Sequence, residues 1–168
     1  MLCVIAKLSP DANDKLSKLR QGAMPQVHFS SPLHAHITLA TYLPEETDSF
    51  ITACREMLLG VRSLVVRYEK LEVFPETSII VAVPTLPDPL RFLHDRIDRD
   101  FGECLDRWTR GETWHPHTTL YYNPDTDLDV LCDEMQKSFV PFDARIEQIE
   151  FSRVEDTGYT ILETFSLF

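Results

Sequence analysis

Residues 34–39 read HAHITL and residues 115–120 read HPHTTL, so a chain with six histidines places four of them in two copies of His-x-His-x-Thr-Leu. In an extended strand alternate side chains share a face. His34, His36 and Thr38 therefore point one way, with Ile37 and Leu39 opposite, and His115, His117 and Thr119 share a face against Thr118 and Leu120. Pro116 threatens the regularity of the second strand just before His117. Each copy offers an imidazole beside a hydroxyl. An imidazole titrates near ~6.5, so of two that face across a cleft one can take a proton while its charged partner gives one. Each such role is worth about 10²–10⁴ in rate. Threonine hydroxyls can hold the non-bridging oxygens of a phosphate between them. This combination predicts phosphodiester hydrolysis without a metal and without any other cofactor.

Two rival readings use the same residues. Two His-x-His strands could present four imidazoles to zinc, giving a metal-binding protein or metallohydrolase, although neither run brings a carboxylate and Thr has no role there. The histidines could also bind a nucleotide's phosphate with no turnover. His34 and His115 read as cleft-rim or structural residues. Tyr42, Phe74, Trp114 and Tyr122 could stack on a base or pack in the core, and Arg107 and Arg110 could steer a phosphate or be solvated.

The elements that must position these residues follow from periodicity and end signals. Strands are expected at 2–8, 34–43, 64–74, 78–84, 117–123, 142–154 and 159–168, and helices at 11–23, 44–60, 87–105 and 128–139. The last two strands pair through a turn at Asp156, Thr157 and Gly158. Both acidic runs, 44–48 and 124–129, read as helix starts. The order strand, helix, histidine strand, helix, strand occurs twice, with proline-rich 83–89 as the seam, so a single domain is expected to consist of two pseudo-repeat lobes, approximately 1–83 and 84–168. Duplicated halves can bring equivalent residues to one cleft across a pseudo-two-fold axis.

With 27 acidic against 16 basic residues the 168-residue chain carries a net charge of -11. Such a surface repels long polyanions, so a small phosphodiester or short oligonucleotide is the expected partner, and no long nucleic acid. The four cysteines are scattered with no Cys-x-x-Cys pair, so neither a zinc knuckle nor a disulfide framework is indicated and buried free thiols are expected. The first residues turn polar too early for a signal-peptide core, and no stretch approaches the length of a membrane span. A cytoplasmic monomer is expected.

At HITL (36–39), PHTTL (116–120), VFP (73–75) with the following SIIVAV, and the closing FDARIEQIEFSRVEDTGYTILETFSL, the sequence resembles the 2H phosphoesterase superfamily, which includes 2'-5' RNA ligase-like proteins and cyclic nucleotide phosphodiesterases. The resemblance implies an α+β, bilobal fold with antiparallel sheets flanking a central cleft and helices outside. It implies His36 and His117 as the acid–base pair and Thr38 and Thr119 as phosphate ligands. It further implies a 2',3'-cyclic nucleotide or a 2'-5'-linked oligonucleotide as substrate. Tyr121 and Tyr122 stand where ligase-like members often carry Arg, and Thr77 and Ser78 where they tend to be basic, which points away from ligase activity on a tRNA-sized substrate.

Overall fold

A computed structural model describes residues 1–23, 34–74, 76–123, 125, 127–155 and 158–168. The elements are β1 (Leu2–Leu8), α1 (Pro10–Ala23), β2 (His36–Tyr42), α2 (Asp48–Leu58), β3 (Leu64–Val73), β4 (Ile79–Pro84), α3 (Asp88–Phe101), β5 (Thr118–Tyr122), α4 (Leu128–Ser138), β6 (Phe142–Glu155) and β7 (Gly158–Ser166). Three short 3-10 turns fill the way from α3 to β5. Asp156 and Thr157 of the expected hairpin turn lie outside the described residues.

The fold is α+β, with every strand pair antiparallel. β2 begins at His36 and not at 34, and the largest differences from expectation are in α2 and α3. α2 starts at Asp48, because residues 44–47 form the approach and the buried Thr47 precedes the first turn; it ends before Gly60, whose φ of 78° only glycine adopts cheaply. α3 stops at Phe101 and tightens into a 3-10 turn over Gly102–Cys104. The second acidic run does begin a helix: the Asp127 side chain accepts the Val130 amide at 3.3 Å.

The sheet order is β2-β1-β6-β3-β4-β5, with β7 on β6. The fourteen residues of β6 serve both ends: residues 142–146 pair with β3, 146–153 with β1, and 148–155 with β7. The division expected near residues 83 and 84 falls at the end of β4, which pairs across it with β5. Proline-rich 83–89 closes β4 and leads into α3.

The core takes the alternate apolar residues of these strands. Leu2, Val4, Ala6 and Leu8 of β1 pack with Ile37 and Leu39 of β2, Leu16 of α1, Phe50 of α2 and Leu90 of α3. Tyr42 stacks on Phe50 at 4.1 Å, which makes it a core aromatic. Burying each such large side chain stabilises the fold by roughly 1.5–3 kcal/mol. All four cysteines are free; Cys54 and Cys132 are buried, whereas Cys3 and Cys104 are half-exposed. Among the described residues no helix is long and apolar enough to cross a membrane.

β2 and β5 end the sheet path, yet side chains tie them to each other. Thr118 Oγ1 donates to the His36 carbonyl at 2.8 Å, and Trp114 Nε1 to the Thr38 carbonyl at 2.9 Å. Because the Thr118 proton is committed, the Tyr68 hydroxyl, 2.6 Å away, must donate to Thr118. Tyr68 and Thr118 are buried, so this relay has no water to replace it. Thr118→Val orphans both the Tyr68 hydroxyl and the His36 carbonyl and should cost about 2–4 kcal/mol, against about 1 kcal/mol for Tyr68→Phe. Urea denaturation of the two variants checks this; equal, small losses would contradict it.

Candidate active site

The two motif strands share an irregularity that alternation alone does not reveal. On β2 the register steps from Ala40 opposite Val4 to Thr38 opposite Ile5, leaving Leu39 as the extra residue. On β5 it steps from Tyr121 opposite Ile80 to Thr119 opposite Val81, leaving Leu120 extra. The same β-bulge thus follows each His-x-Thr, three residues beyond the histidine. The match continues sideways: Ile5 pairs with Glu150 of β6, and Val81 with Glu72 of β3. Each motif strand therefore begins a row of threonine, an aliphatic residue and glutamate, side by side on three adjoining strands.

Each half also braces the other's motif. Arg20, in the last turn of α1, donates to the Thr119 carbonyl at 2.6 Å. His94 of α3 lies with Nδ1 3.0 Å from the carbonyl of the bulged Leu39, and its ring stacks on Trp114 at 3.8 Å. A bulge and a sheet edge both leave carbonyls without a ladder partner, and these side chains satisfy them.

His36 Nδ1 sits 2.8 Å from the His34 carbonyl, and His117 Nδ1 sits 2.7 Å from the His115 carbonyl. A carbonyl only accepts, so each ring carries a proton on Nδ1 and, when neutral, keeps its lone pair on Nε2. Both rings are half-buried. Desolvation pulls His36 down to about 4, against the raising effect of its carbonyl bond; the positive charges of His34, His117 and Arg20 push the same way. Desolvation lowers His117 too, but there the Glu72 carboxylate works in the opposite direction. The two imidazoles are thus close enough to feel each other and sit in unequal fields.

A cavity of about 380 Å³ opens beside His117, and neither His36 nor Thr119 is among the residues that line it. Thr38 and His117 line it, one from each motif, together with Phe74, Trp108, Trp114 and Asp106. Phe74 lies 4.7 Å from the His117 ring. Thr119 is half-buried on β5, while Thr118, the middle residue of its motif, is buried in the strand tie described above. His34 and His115 go separate ways. His34 Nε2 approaches the buried Glu150 carboxylate at 3.1 Å, which Lys7 also meets at 2.9 Å, and His115 stands exposed on the cavity rim near Phe74. Among the described residues no three His, Cys, Asp or Glu side chains are grouped as a metal ion would need.

A family model for the 2'-5' RNA ligase superfamily matches residues 8–158. The chain belongs to that superfamily. Its fold is similar to that of TT0787 of Thermus thermophilus, at 21% identity and a TM-score of 0.68, covering 99% of this chain and 97% of the other. Apo LigT of E. coli is similar at 15% identity and TM-score 0.64, with 99% and 96% covered, and a protein described as a phosphoesterase at 15% and 0.66, with 99% and 97% covered. No curated protein matches the chain.

Within this 2H phosphoesterase superfamily the chain's departures acquire a place. Tyr121 is buried and Tyr122 is 61% exposed, so neither replaces a cation; the guanidinium near the motifs comes from Arg20 on α1. Arg20, Tyr68, Thr118, Asp106, Trp108 and Glu72 are not legible as site neighbours from the sequence, since each is brought in by tertiary pairing. Only Trp108 carries a signal, standing between Arg107 and Arg110 on the approach to the second motif, and Arg107 packs over its ring at 4.6 Å.

The low His36 value makes stability depend on pH. Between the usual imidazole value of 6.5 and about 4 the unfolded chain binds a proton that the folded chain does not. His36 therefore leaves stability intact above pH 6.5 and erodes it as the pH falls toward 4. Urea midpoints measured across that window should decline, and His36→Gln should flatten the decline; an unchanged slope would show that His36 is not held neutral.

Proposed function

We propose that the protein is a metal-independent phosphodiesterase of the 2H type, hydrolysing a small phosphodiester such as a 2',3'-cyclic nucleotide or a 2'-5'-linked oligonucleotide. The observation that carries this reading is the matched pair of imidazole–carbonyl bonds, which puts the Nδ1 proton on a carbonyl in each motif and leaves each Nε2 its lone pair. Structures of E. coli LigT with 3'-AMP, with ATP and with phosphate add support for a nucleotide-sized ligand.

In this reading His36, which desolvation holds neutral, takes the proton of the attacking water, and His117 protonates the departing ribose oxygen. The Thr38 and Thr119 hydroxyls donate to the two non-bridging oxygens and keep the phosphorus between the imidazoles. Water attacks phosphorus, the bond to the ribose oxygen breaks, and the proton removed at one imidazole is matched by the one delivered at the other. Arg20 adds a fixed positive charge near His36 as charge develops on the phosphoryl oxygens. With proton transfer supplied by imidazoles and charge by hydroxyls and a guanidinium, no step calls on a metal.

Steady-state kinetics on 2',3'-cyclic nucleotides and 2'-5'-linked dinucleotides test the reading. His36→Ala and His117→Ala should each lower kcat by about 10²–10⁴ with the fold intact, and chelator should leave the rate unchanged. The kcat/KM profile should be bell-shaped, with an acid limb near pH 4 from His36 and a basic limb below the ordinary imidazole value from His117. Near-normal turnover in either single variant, or loss of activity with chelator, would overturn the mechanism.

A further inference from the structure

The cavity that holds Thr38 and His117 also contains a carboxylate that the proposed chemistry does not use. Asp106 is the single acidic residue among the described lining side chains. Its position is over-determined: its amide donates to the Thr41 carbonyl at 2.8 Å, and its Oδ1 accepts the Trp108 amide at 2.9 Å. A carboxylate fixed in a pocket for an anionic ligand repels the phosphate. Besides capping the turn Arg107–Thr109, it suits a ligand that turns a hydrogen-bond-donating, uncharged end toward it. An ionised carboxylate accepts through both oxygens, each with more than one lone pair, so the Trp108 amide leaves room for two further donors.

Aromatic surface lies next to this group. Trp108 is 39% exposed although it lines the cavity, and its ring is 6.2 Å from that of Phe74. Arg107 packs over the indole at 4.6 Å. An exposed indole with a guanidinium over its ring and a buried phenyl set nearly perpendicular to it, at 71°, offers aromatic surface on which a flat base can stack. At about 380 Å³ the space suits one nucleotide, at the small end of ligand pockets.

Resting on the phosphodiesterase reading, we infer that this end of the cavity is a base-reading pocket in which Trp108 stacks the base and Asp106 selects guanine. Guanine offers two adjacent donors, N1–H and the N2 amino group, to the two carboxylate oxygens. Adenine and cytosine offer one amino group beside a ring nitrogen whose lone pair opposes the carboxylate, and uracil offers one N–H between two carbonyls. A site built around paired donors rejects bases that lack them.

The test uses the full chain, the four 2',3'-cyclic mononucleotides as substrates, and 3'-GMP, 3'-IMP and 3'-AMP as equilibrium ligands. The guanine substrate should lead in kcat/KM by about 10-fold or more, and binding should weaken from GMP to IMP to AMP as donors are removed. Asp106→Asn keeps an oxygen for the Trp108 amide but turns a donor toward the base, and should reduce the guanine-to-adenine ratio by about 10- to 100-fold. Equal kcat/KM for the four bases, equal binding of the three ligands, or an unchanged ratio in D106N would overturn base selection while leaving hydrolysis standing. The expected binding order with no turnover of any substrate would uphold the pocket and sink the hydrolysis reading.

Discussion

The Thr118 hydroxyl joins residues 82 positions apart in sequence by donating to the carbonyl of His36. Everything at the cleft depends on that junction. β2 and β5 stand at opposite ends of the sheet path, and backbone pairing alone does not bring them together. Burial makes the tie firm: with water excluded, a broken hydrogen bond there leaves unpaired groups in place of solvated ones. Trp114 reinforces it from the Thr38 carbonyl, and Arg20 holds the Thr119 carbonyl from the other side. The spacing between the motifs is therefore set by side chains braced on buried structure.

Exchange between the two halves of the chain has the same effect on a larger scale. β6 pairs with strands of both halves, α1 reaches β5 through Arg20, and α3 reaches β2 through His94. Neither motif is supported by its own half alone. The bulges at Leu39 and Leu120 free carbonyls that the exchanged elements then satisfy, so the irregularity and the brace belong together. Electrostatics add to this: desolvation lowers both imidazoles, and among the smaller effects the Arg20 charge lowers His36 further while the Glu72 carboxylate works to raise His117.

Much of this is legible from residue types. Alternation puts Ile37 and Leu39 in the core and Thr38 on the other face, and helix ends at Gly60 and Asp127 carry their signals. The two His-x-Thr motifs and the family they indicate can be read because four of six histidines fall in one repeated pattern. The strand order is not legible: periodicity marks a strand but does not name its neighbour, so the pairing of β4 with β5 and of β6 with β1, β3 and β7 cannot be read from it. Thr118 looks like an ordinary strand threonine, and the bulges are invisible to a period-two reading. Asp106 and Arg20 reach the site from a turn and a helix end, where sequence distance says nothing of spatial distance.

The central claim is that backbone carbonyls fix both imidazoles in one tautomer, with the Nε2 lone pairs turned to a common anion. Nitrogen NMR of histidine-labelled protein near neutral pH measures this directly, and inorganic phosphate supplies the probe. The account predicts that His36 and His117 both show a protonated Nδ1 and an unprotonated Nε2, and that both Nε2 signals move together as phosphate is added. Nε2-protonated rings, tautomer mixtures like those of a free imidazole, or a phosphate response at only one of the two would contradict it.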